Sequence, residues 1–98
     1  MEEDGRSVSA RFPLGQIVTT PGALRALDNA AQSALEFIIR HASGDWGDLD
    51  DHDRKENELS LVHGFRLLST YVLATDERIW IITEADRSLT TLLLPSEY

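Results

Sequence analysis

The sequence predicts an α+β domain. It reads as a two-layer sandwich, with an N-terminal strand and three helices packed on a C-terminal three-stranded antiparallel meander, three or four strands in total. Two observations carry this. Before Gly64 the apolar residues recur at helical spacing and are interrupted by capping signals. After Gly64 the chain becomes "FRLLSTYVL", "RIWIITE" and "LTTLLLP", three strand-length segments separated by the turn-like "ATDE" and "ADRS". Connections that short join antiparallel neighbours. Helices followed by a meander form two layers around one core.

The elements follow in order. Residues 12–19 have strand character, with Phe12, Leu14 and Val18 on one face and Ile17 on the other. Pro13 and Gly15 mark it as an edge strand. Thr20-Pro21 reads as a helix N-cap followed by proline at the first helical position. Ala23, Leu24, Leu27 and Ala31 then face the core. Ser33 and Glu36 have capping-box spacing and open a second helix. Its expected stripe is Leu35, Ile38 and Ile39, with Phe37 near the edge. Arg40 and His41 fall in its last turn, where positive charge favours the helix dipole. Asp50 and Asp53 cap a third helix, Leu59 and Val62 face inward, and Gly64 stops it. Trp80 alternates with Ile79 and Ile81, so it lies on the opposite, open face of the sheet beside Ile82.

Ninety-eight residues, 42% of them hydrophobic, supply one core. Residues 12–98 are expected to form one domain and residues 1–11 a disordered, acidic arm. No cysteine is present, which removes disulfides and thiolate metal sites. No apolar run approaches the roughly 18 residues of a membrane span, and the polar start is unlike a signal peptide. A cytoplasmic location and no membrane contact are therefore expected. The net charge of −8 argues against direct nucleic-acid binding, because phosphate contacts need cations. The same charge suits a basic protein partner.

The chemistry-bearing residues are few. His41, His52 and His63 are equally spaced, but eleven residues of helix span about 16 Å, too far for one ion. The acids of "GDWGDLDDHD" miss the calcium-loop pattern, since the sixth position from Asp48 is Asp53 and not glycine. No cofactor and no metal are expected. No nucleophile elbow or phosphate loop occurs, and Lys55 is the only lysine. The turn "TEADRS" carries the one compact polar group. There Glu84 and Asp86 would act as an acid–base pair and Arg87 as an anion clamp, or the three simply build the turn.

The heptad Gly44 to Asp50, "GDWGDLD", places an indole between two glycines and among three carboxylates. Either Trp46 folds back to seal the core with its N–H on a carboxylate, or it is an exposed anchor in an acidic rim.

The stretches "FPLGQIVTTPGALRAL", "RHASGDWGDLDDHDRKENE" and "RIWIITEADRSLTTLLLPSEY" resemble a family of small, uncharacterised proteins carried by bacterial plasmids, prophages and integrating elements, often labelled plasmid-related. The resemblance runs from Phe12 to Tyr98. Gly22, Gly44, Asp45, Trp46, Gly47, Asp48, Asn57, Trp80, Glu84, Asp86, Arg87 and the closing Pro95 to Tyr98 carry it. It implies a mobile-element context, in which small proteins often counter host defences, and brings no established activity.

Three readings follow. The first is a non-catalytic acidic interaction module whose partner surface comprises Asp45, Trp46, Asp48, Asp50, Asp51, Asp53 and Trp80, with the Glu84–Arg87 turn beside it. The second is a small enzyme acting on a phosphorylated or nucleotide-like substrate through Glu84, Asp86 and Arg87. The third is a homodimeric scaffold that closes through the outer sheet face around Trp80.

Overall fold

The computed structural model describes residues 10–98. The expected arm therefore lies mostly outside the described residues. Its last residue, Arg11, is tied into the fold: its N–H donates to the Ala42 carbonyl at 2.8 Å, and its guanidinium meets Glu58 at 2.9 Å.

The chain runs β1 (Gln16–Thr19), α1 (Pro21–Ala30), α2 (Ala34–Ala42), α3 (Asp51–His63), β2 (Leu67–Val72), β3 (Arg78–Thr83) and β4 (Leu89–Leu93), ending in a 3-10 turn at Pro95–Glu97. The four strands form one sheet in the order β1-β4-β3-β2. The α+β class holds and the meander is antiparallel, but the sheet is mixed. β1 runs parallel to β4, with Gln16 opposite Leu89 and Thr19 opposite Leu92. A parallel neighbour needs a long crossover, and the three helices and two strands between β1 and β4 supply it.

α1 begins as the sequence predicts. The Thr20 hydroxyl accepts from the Ala23 N–H at 3.2 Å, and Pro21 follows at the first position. The C-terminal turn completes this helix start. Glu97 accepts from the Thr20 hydroxyl at 2.6 Å, the Gly22 N–H at 3.2 Å and the Leu94 N–H at 2.8 Å. Those donors hold its carboxyl below the ordinary range, the Thr20 hydroxyl contributing most. Ala23, Ala26 and Leu27 point inward, whereas Leu24 is exposed and Ala31 adopts a left-handed conformation at the C-cap.

α2 presents a different face from the expected one. The Ser33 hydroxyl accepts from the Leu35 N–H at 3.1 Å rather than from Glu36, so the capping box does not form. Phe37 and His41 are buried, while Leu35 and Ile39 are exposed. The inward row is Ala34, Phe37, Ile38 and His41, at i, i+3, i+4 and i+7. A histidine in that row conceals it from a reading that follows only apolar residues.

The main core packs Ala23, Ala26, Leu27 and Phe37 against Tyr71, Leu73, Ile79, Ile81 and Leu92. A second cluster joins Phe12, Trp46 and Leu67. Phe12 therefore leaves the sheet, and the first strand is four residues long rather than eight. Trp80 does lie on the sheet face opposite Ile79 and Ile81, but that face is not bare. The Tyr98 ring packs edge-on to Trp80 at 5.6 Å, and the Tyr98 hydroxyl accepts from Arg66 at 2.6 Å. Ile82 is only 5% exposed.

Candidate functional site

The heptad of residues 44–50 covers one edge of the sheet. β2 is an edge strand, and an open edge offers unpaired N–H and C=O groups. Gly47 bridges Thr70 in parallel. The Asp48 N–H donates to the Thr70 carbonyl at 2.7 Å, and the Thr70 N–H donates to the Trp46 carbonyl at 3.1 Å. One step along the strand, Asn57 of α3 acts like a strand residue. Its amide donates to the Leu68 carbonyl at 2.6 Å and accepts from the Leu68 N–H at 3.2 Å. The outward backbone groups of Leu68 and Thr70 are thus all paired.

Trp46 fastens this cover from beneath. It is 2% exposed, stacks near Phe12 at 6.1 Å, and its indole N–H donates to Glu58 at 3.0 Å. Glu58 also accepts two bonds from Arg11, and these hold its carboxyl low more than the indole does. The reading of Trp46 as an exposed anchor is therefore corrected: the indole seals the core. The flanking glycines permit this course, since Gly47 has φ +76° and lies against the Thr70 carbonyl.

The carboxylates divide by task. Asp45 pairs with Arg40 at 2.7 Å and accepts from the Gly47 N–H at 3.2 Å. Its carboxyl is held below the usual range, chiefly by the Arg40 hydrogen bond. The Arg40 guanidinium lies 4.7 Å from the Tyr71 ring centre, and the Tyr71 hydroxyl donates to the Asp45 carbonyl at 2.6 Å. Burial pushes that phenol above its ordinary range. Asp48 pairs with Arg78 at 2.8 Å. Asp50 is the N-cap of α3 and accepts from the Asp53 N–H at 2.8 Å. Arg54 clasps the loop, donating to the Leu49 carbonyl at 3.0 Å and the Gly47 carbonyl at 2.6 Å. Asp51, Asp53 and Glu56 project from the first turns of α3 and are exposed.

This division predicts two different outcomes. Asp50→Ala removes a cap and is expected to cost about 1 kcal/mol of stability. Asp51→Asn leaves the cap in place and stays within about 0.5 kcal/mol of the parent. Urea midpoints of the two variants check it, and equal losses would contradict the assignment of Asp50 as the cap.

The Glu84–Arg87 turn is built by its own polar groups. Asp86 accepts from the Ser88 N–H at 3.0 Å and the Ser88 hydroxyl at 2.6 Å, and the hydroxyl is the main reason its carboxyl is held low. Arg87 has φ +63°. Its guanidinium donates to the carbonyls of Phe65 at 2.7 Å, Glu84 at 3.1 Å, Ala85 at 3.3 Å and Ser60 at 3.1 Å. An arginine spread over four carbonyls ties the turn to the end of α3 and is not available as an anion clamp. This corrects the enzyme reading of Arg87 and Asp86, and no described contact joins Glu84 to Asp86.

His52 and His63 stand exposed on α3, while His41, in the last turn of α2 as expected, is buried inside the domain. Among the described residues no three metal-ligating side chains converge. Two depressions flank the edge cover. A cleft of about 390 Å³ is lined by Arg40, Gly47, Asp48, Tyr71 and Val72. A cavity of about 200 Å³ between α3 and β2 is lined by Leu49, Asp53, Glu56, Asn57, Ser60, Arg66 and Leu68.

No known family, curated protein or solved structure matches the chain.

Sequence reasoning missed a buried polar chain centred on His41. The ring is 0% exposed. Its Nδ1 is 2.6 Å from the Ser69 hydroxyl and its Nε2 is 2.9 Å from the Thr83 hydroxyl. Thr83 is 2.7 Å from the Thr90 hydroxyl, and Thr90 donates to the Leu14 carbonyl at 2.7 Å. The last bond fixes the direction from the His41 Nε2 through the threonines, and burial, which disfavours the charged ring, keeps Nδ1 bare. A carbonyl only accepts, so the Thr90 proton points to Leu14 and Thr83 donates to Thr90. Thr83 then accepts from Nε2–H, and the bare Nδ1 accepts from Ser69. His41 is therefore the neutral Nε2–H tautomer. Burial drops its pKa to about 4. Phe12 and Trp46 meet the ring edge-on at 5.2 and 5.8 Å. The chain joins α2, three strands and the N-terminal segment. The available signal was the i+4 spacing of Phe37 and His41, together with serine and threonine at inward strand positions.

Proposed function

We propose that the protein is a non-catalytic interaction module that presents a fixed acidic ledge to a basic protein partner. The observation that carries this reading is the stitching of residues 46–48 and Asn57 onto β2, which holds the carboxylates of Asp48, Asp50, Asp51 and Asp53 on a backbone with little freedom. A pre-ordered charged surface loses less conformational entropy on binding than a mobile one. The ledge carries net negative charge even after the Arg40–Asp45 and Arg78–Asp48 pairs are discounted. It suits a surface that otherwise holds nucleic-acid phosphates. The resemblance to plasmid- and prophage-borne proteins supplies the context, in which the partner belongs to a host defence system. Trp46 and Trp80 have no part in the contact surface, since the first is buried and the second lies under Tyr98.

The test uses a bacterial restriction or CRISPR nuclease and its DNA cleavage rate. The wild type is expected to slow cleavage, and raised salt should relieve the inhibition steeply, because exposed charges are screened over about 8–10 Å. A double variant, Asp51→Lys with Asp53→Lys, should lose the inhibition while its circular dichroism is unchanged. Binding that survives both high salt and charge reversal contradicts the acidic-ledge reading.

A further inference from the structure

The cavity of about 200 Å³ between α3 and β2 has a buried hydroxyl in its wall with nothing to bond. Ser60 lines this cavity and is only 8% exposed. Its carbonyl is fully used, accepting from the Gly64 N–H at 2.9 Å, the Phe65 N–H at 3.1 Å and the Arg87 guanidinium at 3.1 Å. Its hydroxyl has no hydrogen-bond partner among the described residues. It does not even bond back to the carbonyl one turn earlier, the usual recourse of a serine inside a helix. The other buried polar residue of α3, Asn57, differs in this respect, since its amide is committed to Leu68 at both ends. Buried hydroxyls in folded proteins are nearly always paired, so the Ser60 hydroxyl calls for a partner from outside the chain.

The charged residues of the lining are sorted by sign. Asp53 and Glu56, one turn apart on α3, stand toward its N-terminal end. Arg66 stands at the other end, where the Phe65–Ser60 backbone bond brings it beside the hydroxyl. Asp53 and Ser60 are seven residues apart on the helix, about 10 Å, and Glu56 and Ser60 about 6 Å. Arg66 spends one nitrogen on the Tyr98 hydroxyl at 2.6 Å, and no described ion pair joins it to either acid. Leu49 and Leu68 supply apolar wall. We propose that this cavity binds a small zwitterion, an amino-carboxylate, with its ammonium between Asp53 and Glu56 and its carboxylate on Arg66 and the Ser60 hydroxyl. A simple cation, a metal ion included, would meet Arg66 as a like charge and leave the hydroxyl unserved. A simple anion would face two carboxylates. Repulsion at one end thus rejects singly charged ligands, and a molecule with both charges complements both ends. The volume is below the usual range for drug-sized ligands and suits a compound of amino-acid size. The inference goes beyond the acidic-ledge reading, because Ser60 and Arg66 have no part in the ledge.

The test titrates the isotope-labelled protein, followed by backbone amide resonances, with three zwitterions of increasing reach: glycine, 4-aminobutyrate and 6-aminohexanoate. Butylamine and butyrate serve as singly charged controls. The best zwitterion should shift Glu56, Ser60 and Arg66 saturably and bind at least about tenfold more tightly than either control. Ser60→Ala should weaken it about tenfold or more with unchanged circular dichroism, because a hydrogen bond to a charged group contributes on that order and the substitution leaves the Ser60 carbonyl in place. Arg66→Gln should bring the zwitterion down to the affinity of butylamine. Asp51→Lys alters the ledge but does not line the cavity, so zwitterion binding should stay within about twofold at physiological salt, where exposed charges are screened. That variant keeps failure of the ledge reading separate from failure of this one. Three results would overturn the proposal: no saturable shift with any zwitterion, equal binding of zwitterions and controls, or a Ser60→Ala variant that binds like the parent, which would mean that water alone serves the hydroxyl.

Discussion

Gly47→Ala is expected to destabilise the domain by about 3–5 kcal/mol, against about 1–2 kcal/mol for Gly64→Ala. The two glycines make a controlled pair. Their φ values are nearly the same, +76° and +74°, so alanine meets a similar left-handed penalty at either site. They differ in what surrounds them. A Cβ on Gly64 would find nothing within 4 Å, whereas a Cβ on Gly47 would lie 1.9 Å from the Thr70 carbonyl oxygen and 2.7 Å from the Tyr71 ring. The oxygen is backbone and belongs to a paired strand, so it cannot step aside as a flexible side chain would. Relief requires the 46–48 segment to lift from β2. That breaks the Asp48–Thr70 and Thr70–Trp46 bonds and loosens the indole below. Total stability for a domain of this size is about 5–15 kcal/mol, so the loss removes a large part of it. Urea denaturation of the two variants beside the parent measures both. Equal losses would mean that the edge cover is not anchored at Gly47.

Local signals in the sequence were legible, and distant partnerships were not. Thr20-Pro21, Asp50 with Asp53, and Gly64 each mark a helix end through bonds to residues within four positions, and all three act as read. The β-rich stretch after Gly64 becomes the three predicted strands. The failures share a cause. α2 and α3 each bury polar residues whose partners lie far along the chain: His41 with Ser69 and Thr83, Asn57 with Leu68, Ser60 with Arg87. A reading that assigns every apolar stripe to the core must then point both helices the wrong way, as it did with Leu35, Ile39, Leu59 and Val62. The parallel pairing of β1 was hidden for the same reason, since nothing in four residues records the direction of a strand some seventy positions away. At the candidate site the acids were found but their tasks were not. The sequence shows that Asp45, Asp48 and Asp50 stand near Trp46. It does not show that one binds Arg40, one binds Arg78, one caps α3, and the indole selects Glu58.

His41→Leu is expected to cost about 3 kcal/mol or more at neutral pH and to abolish a specific part of the acid sensitivity. The leucine fills a similar volume but leaves the Ser69 hydroxyl without its acceptor and the Thr83 oxygen without its donor. Both are 0% exposed, and each buried group left unpaired costs about 1–3 kcal/mol. The pH effect has a definite sign. In the unfolded chain a histidine takes up its proton near pH 6.5. In the fold the same ring resists protonation until about pH 4, because the charge would be buried among Phe12 and Trp46 and a second N–H would displace the Ser69 donor. The unfolded state therefore binds the extra proton throughout that interval. The contribution of neutral His41 is fully present above about pH 6.5 and falls by at most about 1.4 kcal/mol per pH unit, for a total on the order of 3 kcal/mol by about pH 4. The carboxylates of Asp45, Glu58, Asp86 and Glu97, held low by their donors, have the same sign, but their losses begin only as pH approaches their unfolded values near 4. Unfolding free energies at pH 7.5, 6.5, 5.5 and 4.5 thus separate the two. The gap between wild type and His41→Leu should narrow steadily as pH falls through this range, because the leucine variant has no proton to take up at that position. A gap that stays constant with pH would show that His41 takes up its proton in the fold at the same pH as in the unfolded chain, and burial would then not be what keeps the ring neutral.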